Sequence, residues 1–428
     1  MQIFFRIFFE KVKKKFVFLQ KISNTSVVVI EFTVGNFLSF YERRTISFEA
    51  KKISELKQNV IDSNGYKLLR SLVVYGANSS GKSNVIKAFD RMSSCVMQSI
   101  KLNDNDALDY SPFLLSAENE NQPSFFEIIF LSGTQRFRYG FEYDLKKIVT
   151  EWLFAGKTHK TEKTLFIRTP EGIGVTEHFE EGKGKEEATN NNRLFLSLVA
   201  QLNGAIAKQV MGCFHGYDIL SGVKHEGYGG FSLFMFEERL KGYDESLELF
   251  KKLQLGFKEI DIVYNSGDLS GNSKKVSLNT VHNVYDKQGK AVTTISWDRN
   301  DHESEGTRKV MDFSGPIFHT LLNGGLLIID ELDAKLHPLI TMHIVNLFNS
   351  PTTNPNNAQL LFATHDTNLL SADIFRRDQI WFTEKDEVEQ TDLYSLVDFN
   401  LPEGSTDSNM EKNYIRGRYG AIPFITNF

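Results

Sequence analysis

Four short stretches of this chain carry side chains whose types and spacing point to a single chemistry. The first, Gly76-Ala-Asn-Ser-Ser-Gly81-Lys82-Ser83, fits GxxxxGK[ST]. Its glycines let the backbone wrap tightly, so that several N–H groups converge on phosphate oxygens while Lys82 reaches β- and γ-phosphates. Ser83 offers a hydroxyl to Mg²⁺, and the start of the following helix favours negative charge. From average composition, a chance match in a chain this long is expected on the order of 0.02 times. Gly76, Ala77, Asn78, Ser79, Ser80, Gly81, Lys82, Ser83 and Asn84 are the candidate nucleotide-binding residues, with ATP as the ligand.

The second stretch, Leu326-Leu-Ile-Ile-Asp330-Glu331, is an apolar run ending in two carboxylates. A buried strand here would set Asp330 beside the phosphate loop, where with Ser83 it holds Mg²⁺. Glu331 would polarise the water that attacks the γ-phosphate. Alone, the same string also reads as a strand followed by an acidic helix cap. The third stretch, Ala363-Thr-His365-Asp366, ends another apolar run, and His365 is a candidate hydrogen-bond partner of the γ-phosphate. The fourth, Glu303-Ser304-Glu305-Gly306-Thr307, precedes a helical pattern. A serine and glycine amides at a helix start make a phosphate nest, although Ser304 as a plain helix N-cap explains the residues equally well.

Elements that would position these groups follow from periodicity. Val27–Val34 and Ile46–Phe48 read as strands around a turn at Asn36, and Leu72–Tyr75 as a buried strand entering the glycine loop. Asn84–Met97 has helical length, giving the strand–loop–helix unit that opens a nucleotide-binding α/β fold. Phe125–Leu131, Phe137–Tyr143 and Ile148–Phe154 alternate as an antiparallel meander. Glu171–Asn192 is polar and reads as a surface loop. Arg193–Gly212 and Ser246–Leu255 have helical spacing, and a second β section turns at Asp286–Gly289. The last third alternates helix (309–322), strand (326–329), helix (338–348), loop (351–357) and strand (359–363). The implied division is an N-terminal extension (1–25), an ATPase lobe with the phosphate loop and β subdomain (26–155), an insertion (156–300) and a second ATPase lobe (301–428).

The bulk numbers set limits. A formal charge of −5 over 428 residues excludes a uniformly basic nucleic-acid coat. Lys13–Lys15, Lys51-Lys52 and Arg376-Arg377 remain as local basic runs. Cys95 and Cys213 stand far apart, so neither a disulfide framework nor a CxxC zinc site is expected, which suits a reducing cytoplasm. No stretch has the roughly 18 uncharged apolar residues of a membrane span. The apolar, basic segment Met1–Ile22 is interrupted by charge and reads as neither signal peptide nor membrane span, which leaves a surface amphipathic extension or sequence upstream of the domain.

Together these residues resemble the ABC-type ATPase heads of SMC, RecF and OLD-like proteins, and most of all the AAA family ATPases of bacterial abortive-infection systems, the RloA-like group. The resemblance runs from about Val28 to Phe424. It includes Phe32-Thr-Val-Gly-Asn-Phe-Leu-Ser-Phe40, Leu194-Phe-Leu-Ser197, Asp330-Glu-Leu-Asp-Ala-Lys-Leu-His-Pro338, Thr364-His-Asp366 and Gly417-Arg-Tyr-Gly-Ala-Ile-Pro423. It implies an α/β P-loop NTPase of ABC-ATPase head type with an antiparallel β subdomain and a helical insertion. By resemblance, Ser304, Glu305, Gly306 and Thr307 look like the ABC signature acting on a partner's γ-phosphate, Leu332-Asp333 like the D-loop, and His365 like the switch histidine. Thr307 departs from the usual final glutamine of the signature. No Q-loop glutamine is evident between Met97 and Phe130, where Gln122 lies in a polar turn. The resemblance implies an ATP-hydrolysing switch in anti-phage defence, forming a homodimer or higher homo-oligomer. Little chain follows His365, so a nuclease or toxin effector is expected on a separate polypeptide. A RecF-like DNA-repair ATPase is the alternative, with nucleic acid as its partner.

Overall fold

The computed structural model describes residues 27–117, 119, 122–223, 228–265, 275–399 and 410–423. The N-terminal extension and the Lys13–Lys15 run lie outside them. Strands in chain order are β1 (Val27–Gly35), β2 (Arg44–Ser47), β3 (Val60–Ser63), β4 (Tyr66–Leu69), β5 (Ser71–Gly76), β6 (Ser124–Ser132), β7 (Gln135–Tyr143), β8 (Ile148–Gly156), β9 (Lys163–Thr169) and β10 (Gly172–Val175). They continue as β11 (Tyr217–Ser221), β12 (Glu259–Asn265), β13 (Lys275–Tyr285), β14 (Ala291–Asp298), β15 (Leu326–Asp330), β16 (Gln359–Ala363), β17 (Ile380–Lys385) and β18 (Thr391–Ser395). The helices are α1 (Lys82–Gln98), α2 (Phe195–Gln201), α3 (Ala205–His215), α4 (Tyr228–Glu237), α5 (Tyr243–Lys252), α6 (Arg299–His302), α7 (Glu305–Asn323), α8 (Pro338–Asn349) and α9 (Met410–Ile415).

Two sheets sandwich α1. One is a seven-stranded antiparallel sheet, ordered β10-β9-β8-β7-β6-β1-β2. The other has six strands in the order β11-β15-β16-β5-β17-β18, parallel except for β18. On α1, Val85, Ala88, Phe89, Met92 and Val96 are all buried, the spacing of a helix stripe, and the Phe89 ring stacks on Phe32 of β1 at 3.8 Å. Leu326–Ile329 of β15 are fully buried, because a parallel strand covered on both faces needs an unbroken apolar run. α7 and α8 cover its other face with Phe313, Ile317 and Phe348. The buried Gln359 side chain joins the sheets: its Oε1 accepts from the Val29 backbone amide at 2.6 Å, and its Nε2 donates to the Val29 and Leu69 carbonyls.

This topology delivers the candidate residues to one edge. β5 ends at Gly76, β15 at Asp330, β16 just before Thr364 and His365, and β11 at Ser221, which pairs with Asp330. Ligands of open α/β sheets bind at this carboxyl edge. The α/β class, the antiparallel subdomain and the helical insertion are therefore as expected. The three-stranded sheet β12-β13-β14 leads into α7. Arg299 of α6 pairs with Asp312 of α7 at 2.6 Å, and His282 of β13 lies 2.9 Å from Glu303 in the segment before that helix.

Some local expectations fail for identifiable reasons. The helix expected over 193–212 is two helices, broken where Asn203 adopts φ 70° ahead of Gly204. The expected loop 171–192 begins with β10, paired to β9, and continues into a 3-10 turn whose Phe179 is buried. α7 starts at Glu305 rather than 309, since Ser304 caps it. Among the described residues no helix is long and apolar enough to cross a membrane.

Candidate nucleotide-binding site

The loop between β5 and α1 is held in the shape its sequence suggests. Gly81 has φ 115°, a conformation that disfavours side chains, and a Cβ on Gly76 would fall 2.4 Å from Ser80 Oγ and 2.5 Å from the Thr383 carbonyl. Ser80 is buried, its hydroxyl 2.6 Å from Thr383 Oγ1 on β17, and its carbonyl accepts from Thr391 Oγ1 on β18 at 2.9 Å. Thr391 also lies 2.6 Å from the Ser39 hydroxyl, which accepts from the Asn84 amide at 2.7 Å. Ala77, Asn78 and Ser79 form the more open tip, against a cavity of about 350 Å³ walled by Thr383–Lys385 and Ala421–Pro423. Thr383, Thr391 and Ser39 are supports that the motif alone did not reveal. Thr383 and Thr391 stand in strands next to the loop and Ser39 in the turn after β1, a placement visible only once the sheet order is known.

Lys82 is buried, and its ammonium donates to the carbonyls of Gly76 at 2.7 Å and Ala77 at 2.9 Å. Burial lowers its pKa to about 8, against the pull of Asp330, Glu331 and Asp333. These opposing influences also report proximity: all three carboxylates act on the Lys82 ammonium. Asp330 Oδ1 and Asp333 Oδ1 are buried without a hydrogen-bond partner. Desolvated carboxylate oxygens of this kind call for a cation or donor. His365, just beyond β16, is held below the usual imidazole range by burial and then by Lys82, outweighing Asp333, Glu331 and Asp330. Among the described residues no group of three or more His, Cys, Asp or Glu forms a preassembled metal cage. A hydroxyl with one or two carboxylates suits Mg²⁺, which keeps waters and phosphate oxygens as its other ligands.

The Ser304–Thr307 segment takes the geometry of a helix N-cap. Ser304 Oγ accepts from the Thr307 amide at 3.1 Å and lies 2.9 Å from Thr307 Oγ1. The next contacts run to the turn after Glu331: Glu305 pairs with Lys335 at 3.1 Å, and a Cβ on Gly306 would stand 2.9 Å from the Lys335 carbonyl. Gln122 is exposed in the loop before β6, where its carbonyl accepts from Asn36 and Tyr110. Of the basic runs, Arg376 is buried in a pair with Asp378 at 2.7 Å, and Arg377 pairs with Glu55 at 3.1 Å. That dipeptide is structural, whereas Lys51 and Lys52 are exposed.

Residues 71–371 match the family described as "AAA domain, putative AbiEii toxin, Type IV TA system". The chain belongs to this AAA family. Membership supports nucleotide binding and NTPase activity, and the matched span runs from β5 past His365. Among solved structures the chain is similar to the SMC head bound to the C-terminal winged-helix domain of ScpA, at 13% identity and TM-score 0.42 over 86% of this chain and 97% of that one. It is also similar to the SMC head domain from Thermotoga maritima, at 10% identity and TM-score 0.39 over 86% and 98%. A third is the Smc head with an extended coiled coil, bound to the C-terminal domain of ScpA derived from Pyrococcus furiosus, at 12% identity and TM-score 0.39 over 86% and 96%. No curated protein matches the chain.

Proposed function

We propose that this chain is an ATP-binding and ATP-hydrolysing switch that works by ATP-dependent pairing of two copies, as the ATPase component of a bacterial abortive-infection system. The observation that carries the reading is Lys82. Its ammonium is cupped by the phosphate-loop carbonyls at the carboxyl edge of a parallel sheet, within the field of Asp330 and Glu331. A triphosphate entering the loop offers Lys82 stronger acceptors than these neutral carbonyls, so the side chain turns from loop to phosphate. The backbone amides of Gly76–Ser83 and the start of α1 hold the remaining phosphate charge.

Ser83 and Asp330 would hold Mg²⁺, and the chemistry it supplies when bound is neutralisation of charge on the β- and γ-phosphate oxygens. Glu331 accepts the proton of the attacking water as general base. His365 donates a hydrogen bond to the γ-phosphate and loses that contact when the phosphate leaves. Ser304, Glu305, Gly306 and Thr307 act on the γ-phosphate bound by the other copy, so that the closed dimer holds two nucleotides between two chains. The family description, with its AbiEii toxin, favours a defence role. For the RecF-like DNA-binding alternative, the described basic runs divide: Arg376 is buried, whereas Lys51 and Lys52 are exposed.

The reading is tested by titrating Mg-ATP into wild-type and Lys82→Ala protein while following turnover. Equal affinity for the two proteins sinks it.

A further inference from the structure

Lys309 lies on the fifth position of α7, between a helix start and a run of apolar residues, and it is fully buried. A lysine is almost never placed so unless its ammonium is satisfied. Here the partners are backbone carbonyls, all from the turn that follows Asp330. The ammonium donates to Leu332 O at 3.0 Å, to Ala334 O at 2.5 Å and, more weakly, to Glu331 O at 3.4 Å. Three donors thus meet three acceptors of one turn, and the face of Phe313 lies 5.0 Å away.

That turn needs holding. Glu331 and Lys335 adopt φ 54° and φ 62°, the left-handed region, which is strained for residues without glycine's freedom. Such strain persists only where the surroundings over-determine it. The same turn is fastened to the beginning of α7 at two further points, the Glu305–Lys335 ion pair and the close approach of Gly306 to the Lys335 carbonyl.

We propose that Lys309 is a positioning residue whose ammonium fixes the turn bearing Glu331 to the first turns of α7, so that Glu331 and the Ser304–Thr307 segment move as one body. The inference rests on the ATPase reading for its catalytic consequence, because it sets the aim of Glu331 at the attacking water. Contact with the Ser304 end of the helix is then transmitted to Glu331 through a saturated ammonium rather than through side-chain packing alone.

The test uses the full chain with Lys309→Met, which keeps length and apolar stem but donates nothing, and Lys309→Arg, which keeps the charge and donors. In Lys309→Met, kcat should fall about 100-fold, the scale of misplacing a catalytic group by about 1 Å, with ATP affinity within about threefold of wild type. Lys309→Arg should recover most of that loss. Independently of turnover, hydrogen exchange of the Leu332, Ala334 and Leu336 amides, which bond to Ala363 O, Glu331 O and Asp333 O, should speed up at least about tenfold in Lys309→Met. Amides of α1 and β5 should be unchanged. Wild-type kcat in Lys309→Met, unchanged exchange in the turn, or equal acceleration throughout the core each overturns the assignment. Absence of ATP turnover in the wild type would instead overturn the ATPase reading, and the exchange comparison would still decide whether Lys309 holds the turn.

Discussion

Gly222 lies against Glu331 so closely that a Cβ built on it would stand 1.8 Å from the Glu331 carbonyl oxygen, while its own amide donates to the Asp330 carbonyl at 2.6 Å. The end of β11 is thus moulded onto the turn that carries the two carboxylates. Both contacts are to backbone, which cannot rotate away. Gly222→Ala should therefore displace the turn, lowering stability by roughly 1–3 kcal/mol as overpacking does and reducing turnover with it. Thermal melting and ATPase rate measured together check this, and a variant indistinguishable from wild type in both would contradict the packing.

Gly222 also marks where the sequence stops being legible. The phosphate loop, the apolar strand ending in Asp330 and the strand before His365 could be read directly, because each is a local pattern with local chemistry. The partners of those patterns could not. Thr383 and Thr391 reach Ser80 from strands some 300 positions away, and only the order β16-β5-β17-β18 explains why hydroxyl residues stand there. Lys309 did leave a trace, a charge on the apolar stripe of α7. Its acceptors, however, are carbonyls, which no residue pattern announces. Ser304 shows the converse: its cap is local and legible, but a cap and a signature serine share one sequence.

Lys82→Ala removes the one cation supplied by the phosphate loop. At about 3 kcal/mol for a charge-assisted contact, ATP should bind about 100-fold more weakly, measured by calorimetric titration. Affinity unchanged from wild type would mean that the phosphates lie elsewhere.

The same lysine predicts a pH dependence. Burial lowers its pKa to about 8, so the free protein loses this charge as pH rises through 8, while phosphate oxygens favour the protonated form. ATP affinity should therefore be flat in this group below about pH 7. It should fall above pH 8 by up to about tenfold per unit, with a proton taken up on binding. Titrations at pH 8.5 in two buffers of different ionisation enthalpy measure that uptake. Lys309 has its pKa lowered to about 8 as well, so the comparison belongs in the Lys309→Arg background. No proton uptake there would mean that Lys82 is already protonated in the free site.

Glu331→Gln keeps size and backbone conformation but cannot accept the proton of water. ATP should still bind, kcat should fall by roughly 10²–10⁴-fold, and the trapped nucleotide should raise the apparent mass to that of a dimer. Light scattering with and without ATP reads the second effect. Turnover at the wild-type rate would place the general base on another residue.

The signature reading needs a substitution that separates partner phosphate from helix cap. Changes at Gly306 cannot do so, since any Cβ there meets the chain's own Lys335 carbonyl at 2.9 Å. Ser304 is the better probe because asparagine and aspartate cap helices about as well as serine, whereas Ser304→Ala loses about 1 kcal/mol of capping by itself. Ser304→Asp should keep the melting temperature and bind ATP through Lys82. It should still fail to pair and to hydrolyse, because its carboxylate would face the partner's γ-phosphate in a desolvated contact. Ser304→Asn, neutral and equally able to cap, should lose much less. Mixing Ser304→Asp with Lys82→Ala rebuilds one site from two intact halves, so part of the activity should return in the mixture although each protein alone is inactive. If Ser304→Asp hydrolyses ATP at the wild-type rate, or if mixed dimers form and stay inactive, Ser304 is a helix cap and nothing more.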